Sequence, residues 1–317
     1  MELDLNFLTQ YGTHFINKMK ETDSDGKGIA IATEKKYNTI INKLVEFEKH
    51  KIEQISFKNV DLKFRSELIH YFSDVHRLSD NTIGRYLKFI KSLCLDAQRN
   101  GILVNRELDY FKGFTVSAAK IILTFDELDQ IKNTNFKNNN HKIASDWLLI
   151  GCYTGQRVSD LLLIDSSCIQ KSHNSEIIVL KQIKTGNMVQ IPMHIEVKRI
   201  LLKRNGEFPP SFAENVESNK SLFNRYLKAV CKEANLSTMI KGSVFNTETK
   251  RNEEGDFEKY KMISSHVCRR SFATNFYGNP KYPTQLLMSV TAHSSEKMFL
   301  EYIGKKQGDN EAQLSMF

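Results

Sequence analysis

This 317-residue chain has no apolar run long enough to cross a membrane as a helix, which takes about 20 residues. "DWLLIGCYTG" (146–155) is a short buried segment instead. Its five cysteines, Cys94, Cys152, Cys168, Cys231 and Cys268, are scattered, odd in number and contain no CxxC pair. That excludes a disulfide framework and a zinc site, and points to a reducing compartment. The opening "MELDLNFLTQYGTHF" lacks the basic-then-apolar layout of a signal peptide. Internal repeats and long low-complexity tracts are also missing. These absences together describe a cytoplasmic protein without membrane contacts.

What is there is a soluble, globular composition, 40% hydrophobic and 26% charged. A chain of this length divides into two domains more readily than it packs around one core. Lys and Arg outnumber Asp and Glu by 45 to 37, a net charge of +8. Such an excess favours polyanionic partners and bears on association, not on fold.

The first ~100 residues read as helices, because apolar side chains recur at helical spacing. Leu5, Leu8, Phe15, Ile16 and Met19 form one stripe. Thr33 offers an N-cap to "EKKYNTIINKLVEFEKHK", where Tyr37, Ile40, Ile41, Leu44 and Phe47 share a side. A third helix runs through "LKFRSELIHYFSDV". A fourth starts at Ser79 or Asp80 and stops at Gly101, with Ile83, Leu87, Ile90 and Cys94 facing one way. Arg85, Lys88 and Lys91 face the other. That basic side is either a solvated face or a surface whose cations neutralise DNA phosphates.

"YFKGFTVSAAK" (110–120) loses the helical period and collects small residues, so 111–122 reads as a linker between domains at 1–110 and 123–317. Thr124 with Glu127 then makes a capping box that starts a new helix. "SDWLLIGCYTG" and "SLFNRYLKAVCKEANL" are apolar helical stretches. Between them "EIIVLKQIKTGNMVQIPM" alternates and breaks at Gly186-Asn187, a hairpin signal. "KGSVFNTETKRNEEGDFEKYKM" reads as an irregular polar excursion.

Four stretches of this second half carry candidate chemistry. In "YTGQRVSDLLLI", Gly155 breaks a helix, Arg157 follows, and Asp160 lies one turn on. An Arg between buried segments needs a partner, either Asp160 or a bound anion. Lys184 sits where a strand meets the hairpin turn, so its ammonium is either simply solvated or presented from a loop tip. In "SSHVCRRSFATNF", Ser264 or Ser265 can cap a helix whose first turn holds His266 and, on the same face, Arg269. The helix dipole there adds to their charge and builds an anion site. In "TAHSSEKMFLEYIG", Tyr302 lies nine positions after His293 and at helical spacing with Met298 and Phe299. It is either a core aromatic or a reacting group. As a set these residues suit phosphoryl transfer. Two guanidiniums can hold the non-bridging oxygens of a phosphodiester. A phenol of pKa near 10 becomes a nucleophile when a base and a positive field help it ionise, and a Lys or His can protonate the leaving oxygen. No acidic metal-ligand cluster accompanies them.

In order, "TGQR", "KTGN", "HVCR", "AHSS" and the final "EY" resemble the catalytic pattern of the tyrosine recombinases, or phage integrase family. The likeness extends over roughly residues 5 to 305. It implies a mainly α fold with a small β-hairpin or sheet: a helical, SAM-like core-binding domain and a mostly α catalytic domain that together clamp double-stranded DNA. It also implies that Tyr302 attacks a scissile phosphate to leave a 3′-phosphotyrosine and a free 5′-hydroxyl. Arg157 and Arg269 would bind the phosphate, His266 and His293 would bond to it and assist proton movement, and Lys184 would be the general acid. Asp160 would orient Arg157. No metal, cofactor or ATP is implied.

Members of the family work as homotetramers on synapsed DNA, some with an accessory DNA-bending protein, and pass a C-terminal segment to a neighbour; "KKQGDNEAQLSMF" is the candidate here. A bacterial or phage origin and integration or excision of a mobile element follow from the same resemblance. Two positions depart from the pattern: Ala292 replaces the Gly that usually precedes His293, and Arg270 follows Arg269. No arm-binding domain precedes the first helices, so this member either lacks one or is a piece of a longer integrase. A type IB topoisomerase would use a similar site to relax DNA, but the small helical N-terminal domain and short tail favour a recombinase. A metal-dependent nicking enzyme would need a His-hydrophobic-His motif, which the nine histidines do not form. An architectural DNA-binding protein would be expected to have lost catalytic positions, and all six are present.

Overall fold

The computed structural model describes residues 4–21, 28–117, 119–172, 175–249 and 251–305. The proposed exchange segment beyond Lys305 lies outside them. The chain separates into two compact units, 1–117 and 118–317.

The first unit is built on α1 (Leu8–Glu21), α2 (Ile31–Lys51), α3 (Leu62–Asp74) and α4 (Asp80–Arg99). Their apolar stripes meet in one core, where Leu8, Leu44, Phe47, Leu68, Phe72, Leu87, Ile90 and Cys94 are all essentially solvent-free. Burying side chains of this size stabilises by about 1.5–3 kcal/mol each. Helix α2 begins two residues before the expected cap: Ala30 is the N-cap, and its carbonyl takes the amides of Thr33 and Glu34. Thr33 is therefore inside the first turn, which closes by backbone bonding alone. Ser79 does precede α4, but its hydroxyl bonds to Thr82 Oγ1, 3.0 Å away, and not to the helix backbone.

The segment after α4 is fastened back onto it. Phe111 is buried in this core, and Asn81 exchanges two hydrogen bonds with the backbone of Val116, at 2.9 and 2.8 Å. Gly84 and Gly113 let the two backbones touch, since a Cβ on Gly84 would collide with the Phe114 carbonyl. Two cations of the basic face are also engaged locally. Lys88 donates to Thr115 Oγ1 at 2.7 Å and Lys91 to the Asp109 carbonyl at 3.1 Å. Arg85 is exposed.

The second unit opens with α5 (Phe125–Asn133), and the capping box between Thr124 and Glu127 is formed. Next come α6 (Asn139–Thr154) and α7 (Val158–Leu161), then a three-stranded antiparallel sheet of β1 (Ile169–Ser172), β2 (Ser175–Lys181) and β3 (Met188–Pro192). Helices α8 (Ile195–Lys203) and α9 (Val216–Glu233) follow. Strands β4 (Met239–Asn246) and β5 (Arg251–Glu258) form a second antiparallel pair, so the expected irregular excursion is a long hairpin. Its period is hidden because the packed side of β4 alternates Ile240, Gly242 and Val244 with exposed Lys241, Ser243 and Phe245, and most of β5 is charged. Helices α10 (Lys259–Met262), α11 (His266–Phe276), α12 (Thr284–Thr291) and α13 (Glu296–Ile303) complete the unit.

Helix α6 is its centre: Trp147, Leu148 and Ile150 are buried, and α9 and α11 pack on it. Gly151 lets α11 approach, because a Cβ there would meet Cys268 and Leu161. No helix among the described residues is long and apolar enough to cross a membrane.

Candidate active site

Arg157 owes its position to the end of α6. Gly155 terminates that helix in a left-handed conformation (φ 67°), and a side chain there would strike the Phe272 ring. The chain then turns so that Arg157 becomes the N-cap of α7, half-buried, with its guanidinium Nη1 donating to Gln182 Oε1 at 2.7 Å. The freed Gly155 carbonyl accepts from Arg269 Nη1 at 3.0 Å, so a single turn places both arginines.

Asp160, expected to orient Arg157, makes no hydrogen bond to it among the described residues. Its Oδ1 accepts the amide of Ile183 at 2.9 Å, tying α7 to the loop between β2 and β3, while Oδ2 is buried without a hydrogen-bond partner among the described residues. The orienting acceptor is Gln182. Sequence reading passed over this residue because a glutamine at a strand end resembles any surface polar residue. The loop over 182–187 is held by Gln182 N to the Asn187 carbonyl at 2.9 Å and by Gly186 N to the Gln182 carbonyl at 2.8 Å, with Gly186 at φ 69°. It carries Lys184, which is exposed.

Helix α11 supplies His266 and Arg269. Ser265 occupies its N-cap position, but without a capping bond from the hydroxyl; the Ser265 amide donates to Asn224 Oδ1 of α9, at 2.8 Å. This bond comes from another helix, and so escapes a local sequence motif. Arg269 is only 4% exposed, and its Nη2 is buried with no hydrogen-bond partner among the described residues. A buried, unpaired guanidinium nitrogen is costly unless an anion binds it.

Helix α12 ends at Ala292, which adopts the left-handed region (φ 45°, ψ 53°), and the His293 amide closes the turn onto the Met288 carbonyl at 3.0 Å. Thr291 donates its hydroxyl to the Leu287 carbonyl at 2.5 Å, so it accepts from His293 Nδ1, 2.8 Å away. That bond leaves Nε2 as the lone-pair nitrogen of a neutral His293. Ser295 caps α13 through the Met298 amide, at 3.3 Å. Phe299, Leu300 and Ile303 face the core, but Met298 points to solvent (54% exposed), contrary to the expected stripe. Tyr302 lies beside the buried face. Its ring is 5.0 Å from that of His293 and under the Arg270 guanidinium at 5.5 Å, and its hydroxyl is buried without a hydrogen bond among the described residues.

Electrostatics link the set. Burial, then the charges of Arg269 and Arg157, push His293 down to about 4. His266 is lowered by desolvation and then by Arg270, Arg269, Arg157 and Lys184. Arg269 falls to about 10 through burial and the nearby Arg157, against the opposing pull of Tyr302 and Asp160, and still remains charged at neutral pH. Burial raises Tyr302 above the usual phenol value, with Arg269, Arg270 and Arg157 opposing. At rest, then, the site holds cations, two imidazoles shifted toward their neutral form, and a neutral phenol. Arg157, Lys184, His266, Arg269, His293 and Tyr302 thus share one site in the second unit. Arg85, Lys88 and Lys91 belong to the first.

Comparison with known proteins gives two family matches, the "Phage integrase SAM-like domain" over residues 6–113 and the "Phage integrase family" over 122–308. None of the curated proteins matches the sequence. Among solved structures, a lambda integrase dimer bound to a COC′ core site superposes with a TM-score of 0.67 at 16% identity, covering 96% of this chain and 97% of that one. The Tn1549 transposon integrase in complex with circular intermediate DNA gives 0.63 at 18% identity, over 98% and 99%. XerH site-specific recombinase bound to palindromic difH substrate, a post-cleavage complex, gives 0.62 at 14%, over 98% and 94%. Identities this low speak for the fold.

Proposed function

This chain belongs to the phage integrase family of tyrosine recombinases, and from that premise we propose that it cuts and rejoins double-stranded DNA at specific sites through a 3′-phosphotyrosine. The observation that carries the reading is a buried Tyr302 hydroxyl, without a hydrogen bond among the described residues, in the field of Arg157 and of Arg269, whose Nη2 is likewise unpaired among them. The two guanidiniums suit the non-bridging oxygens of a phosphodiester and the extra charge of its transition state. The Tyr302 oxygen forms a bond to phosphorus as the bond to the 5′ oxygen breaks. The phenolic proton passes to a neutral imidazole, His266 or His293, and Lys184 gives a proton to the leaving oxygen. Rejoining runs the same steps backwards, so neither ATP nor a metal ion is consumed.

Lambda integrase is seen as a tetramer bound to a Holliday junction, and assembly of four copies on synapsed DNA is our reading for this chain. Integration or excision of a mobile element is the role such chemistry serves. A nicked suicide duplex bearing the chain's own recombination site tests the mechanism. A covalent adduct should accumulate, persist in EDTA and vanish in Tyr302→Phe. An adduct that needs metal, or that Tyr302→Phe still forms, refutes it.

A further inference from the structure

Two glutamines beside the site are completely buried, Gln156 and Gln182, each 0% exposed. Gln156 Nε2 donates to the carbonyls of Thr154 at 2.9 Å and Val290 at 3.1 Å. Its Oε1 accepts from Gln182 Nε2 at 2.8 Å. Gln182 Oε1 in turn accepts from Arg157 Nη1 at 2.7 Å and Thr185 Oγ1 at 3.2 Å. The direction of this chain is set at its base. Turning the Gln156 amide round would set its oxygen against two carbonyls, so Gln182 must present oxygen to Arg157. The amides reach three of the motifs at once: the Arg157 turn, the loop carrying Lys184, and the end of α12 just before His293.

Packing alone does not call for this arrangement. Apolar side chains of similar volume fill a core at lower desolvation cost than two amides do. Nor would any acceptor serve. A carboxylate in place of Gln182 would pair with the guanidinium and compete with a phosphate for its charge, whereas a neutral amide orients it and leaves that charge free.

We propose that Gln182 and Gln156 are positioning residues: a neutral relay that holds the Arg157 guanidinium in place and keeps its charge available to the scissile phosphate. The relay rests on the strand-transfer reading above. Its effect is exerted through Arg157, on one charged oxygen. A substrate with methylphosphonate at the scissile position, a methyl group replacing that oxygen, should therefore be nearly indifferent to it.

The test uses full-length protein with Gln182→Glu, Gln182→Leu or Gln156→Leu, and suicide duplexes carrying either a phosphodiester or a methylphosphonate at the cleavage position. Gln182→Glu is isosteric and guards against a variant that does not fold. Adduct formation on the phosphodiester should fall about a hundredfold in each variant, the scale of a misplaced transition-state contact. On the methylphosphonate the loss should stay within about threefold, because the Arg157 contact is already forfeit there. Duplex affinity should remain near wild type in each variant, which shows that the fold is kept. An equal loss on both substrates, or no loss on either, overturns the relay while a reactive wild type and an inert Tyr302→Phe leave strand transfer standing. A wild type that forms no Tyr302-dependent adduct overturns strand transfer, and the relay with it.

Discussion

Ala292 holds a backbone conformation (φ 45°, ψ 53°) that costs an L-residue about 1–2 kcal/mol and glycine much less. Ala292→Gly should therefore stabilise the protein by about 1 kcal/mol, less whatever the more flexible unfolded chain takes back, read as a rise in denaturation midpoint. Lower stability would mean the methyl group packs usefully. His293 titrates near about 4 when folded, against about 6.5 in an unfolded chain. The folded state then binds fewer protons, so its stability is intact above about pH 6.5 and falls as pH drops toward 4, by up to about 1.4 kcal/mol per unit. His293→Asn should lose less stability than wild type between pH 6.5 and 5 in chemical denaturation. Parallel curves would contradict the burial argument. At this scale the sequence displayed the reacting types in order, since Arg, Lys, His and Tyr announce chemistry. Gln156 and Gln182 carry no such signature; only the fold shows them as buried and linked.

Elements whose signals are local were legible, and those set by distant partners were not. The box at α5 was readable because Thr124 and Glu127 need only each other. Thr124→Ala should cost about 1 kcal/mol in thermal or urea unfolding, and a loss near zero would show the box to be idle. Glu127 also pairs with Lys259 at 2.6 Å, anchoring the start of α10 to the same turn. At α11, by contrast, Ser265 stands at the cap without a capping bond from its hydroxyl, and its amide is held by Asn224 from another helix. The hairpin of β4 and β5 was hidden for a related reason. Its strands are half-exposed and charged, so binary patterning is faint and backbone pairing alone defines them.

For the whole molecule, length and composition anticipated two units, and helical periodicity gave most of the first. Net charge pointed to a polyanion without naming the face that meets it. Lys88 and Lys91 are bonded within the first unit, which leaves exposed Arg85 as the strongest candidate of the three. Arg85→Ala should weaken duplex binding and lower the salt slope by about 1, as loss of one phosphate contact does. An unchanged slope would mark that face as merely solvated. The central claim, that one tyrosine carries the DNA strand, is tested most directly by mapping the covalent adduct. The suicide duplex is labelled separately at each end, the complex is digested, and the modified peptide is sequenced by mass spectrometry. The account predicts that the nucleotide sits on Tyr302 through its 3′ phosphate and that the released strand begins with a 5′ hydroxyl. Attachment through a 5′ phosphate, or at any other residue, would contradict it.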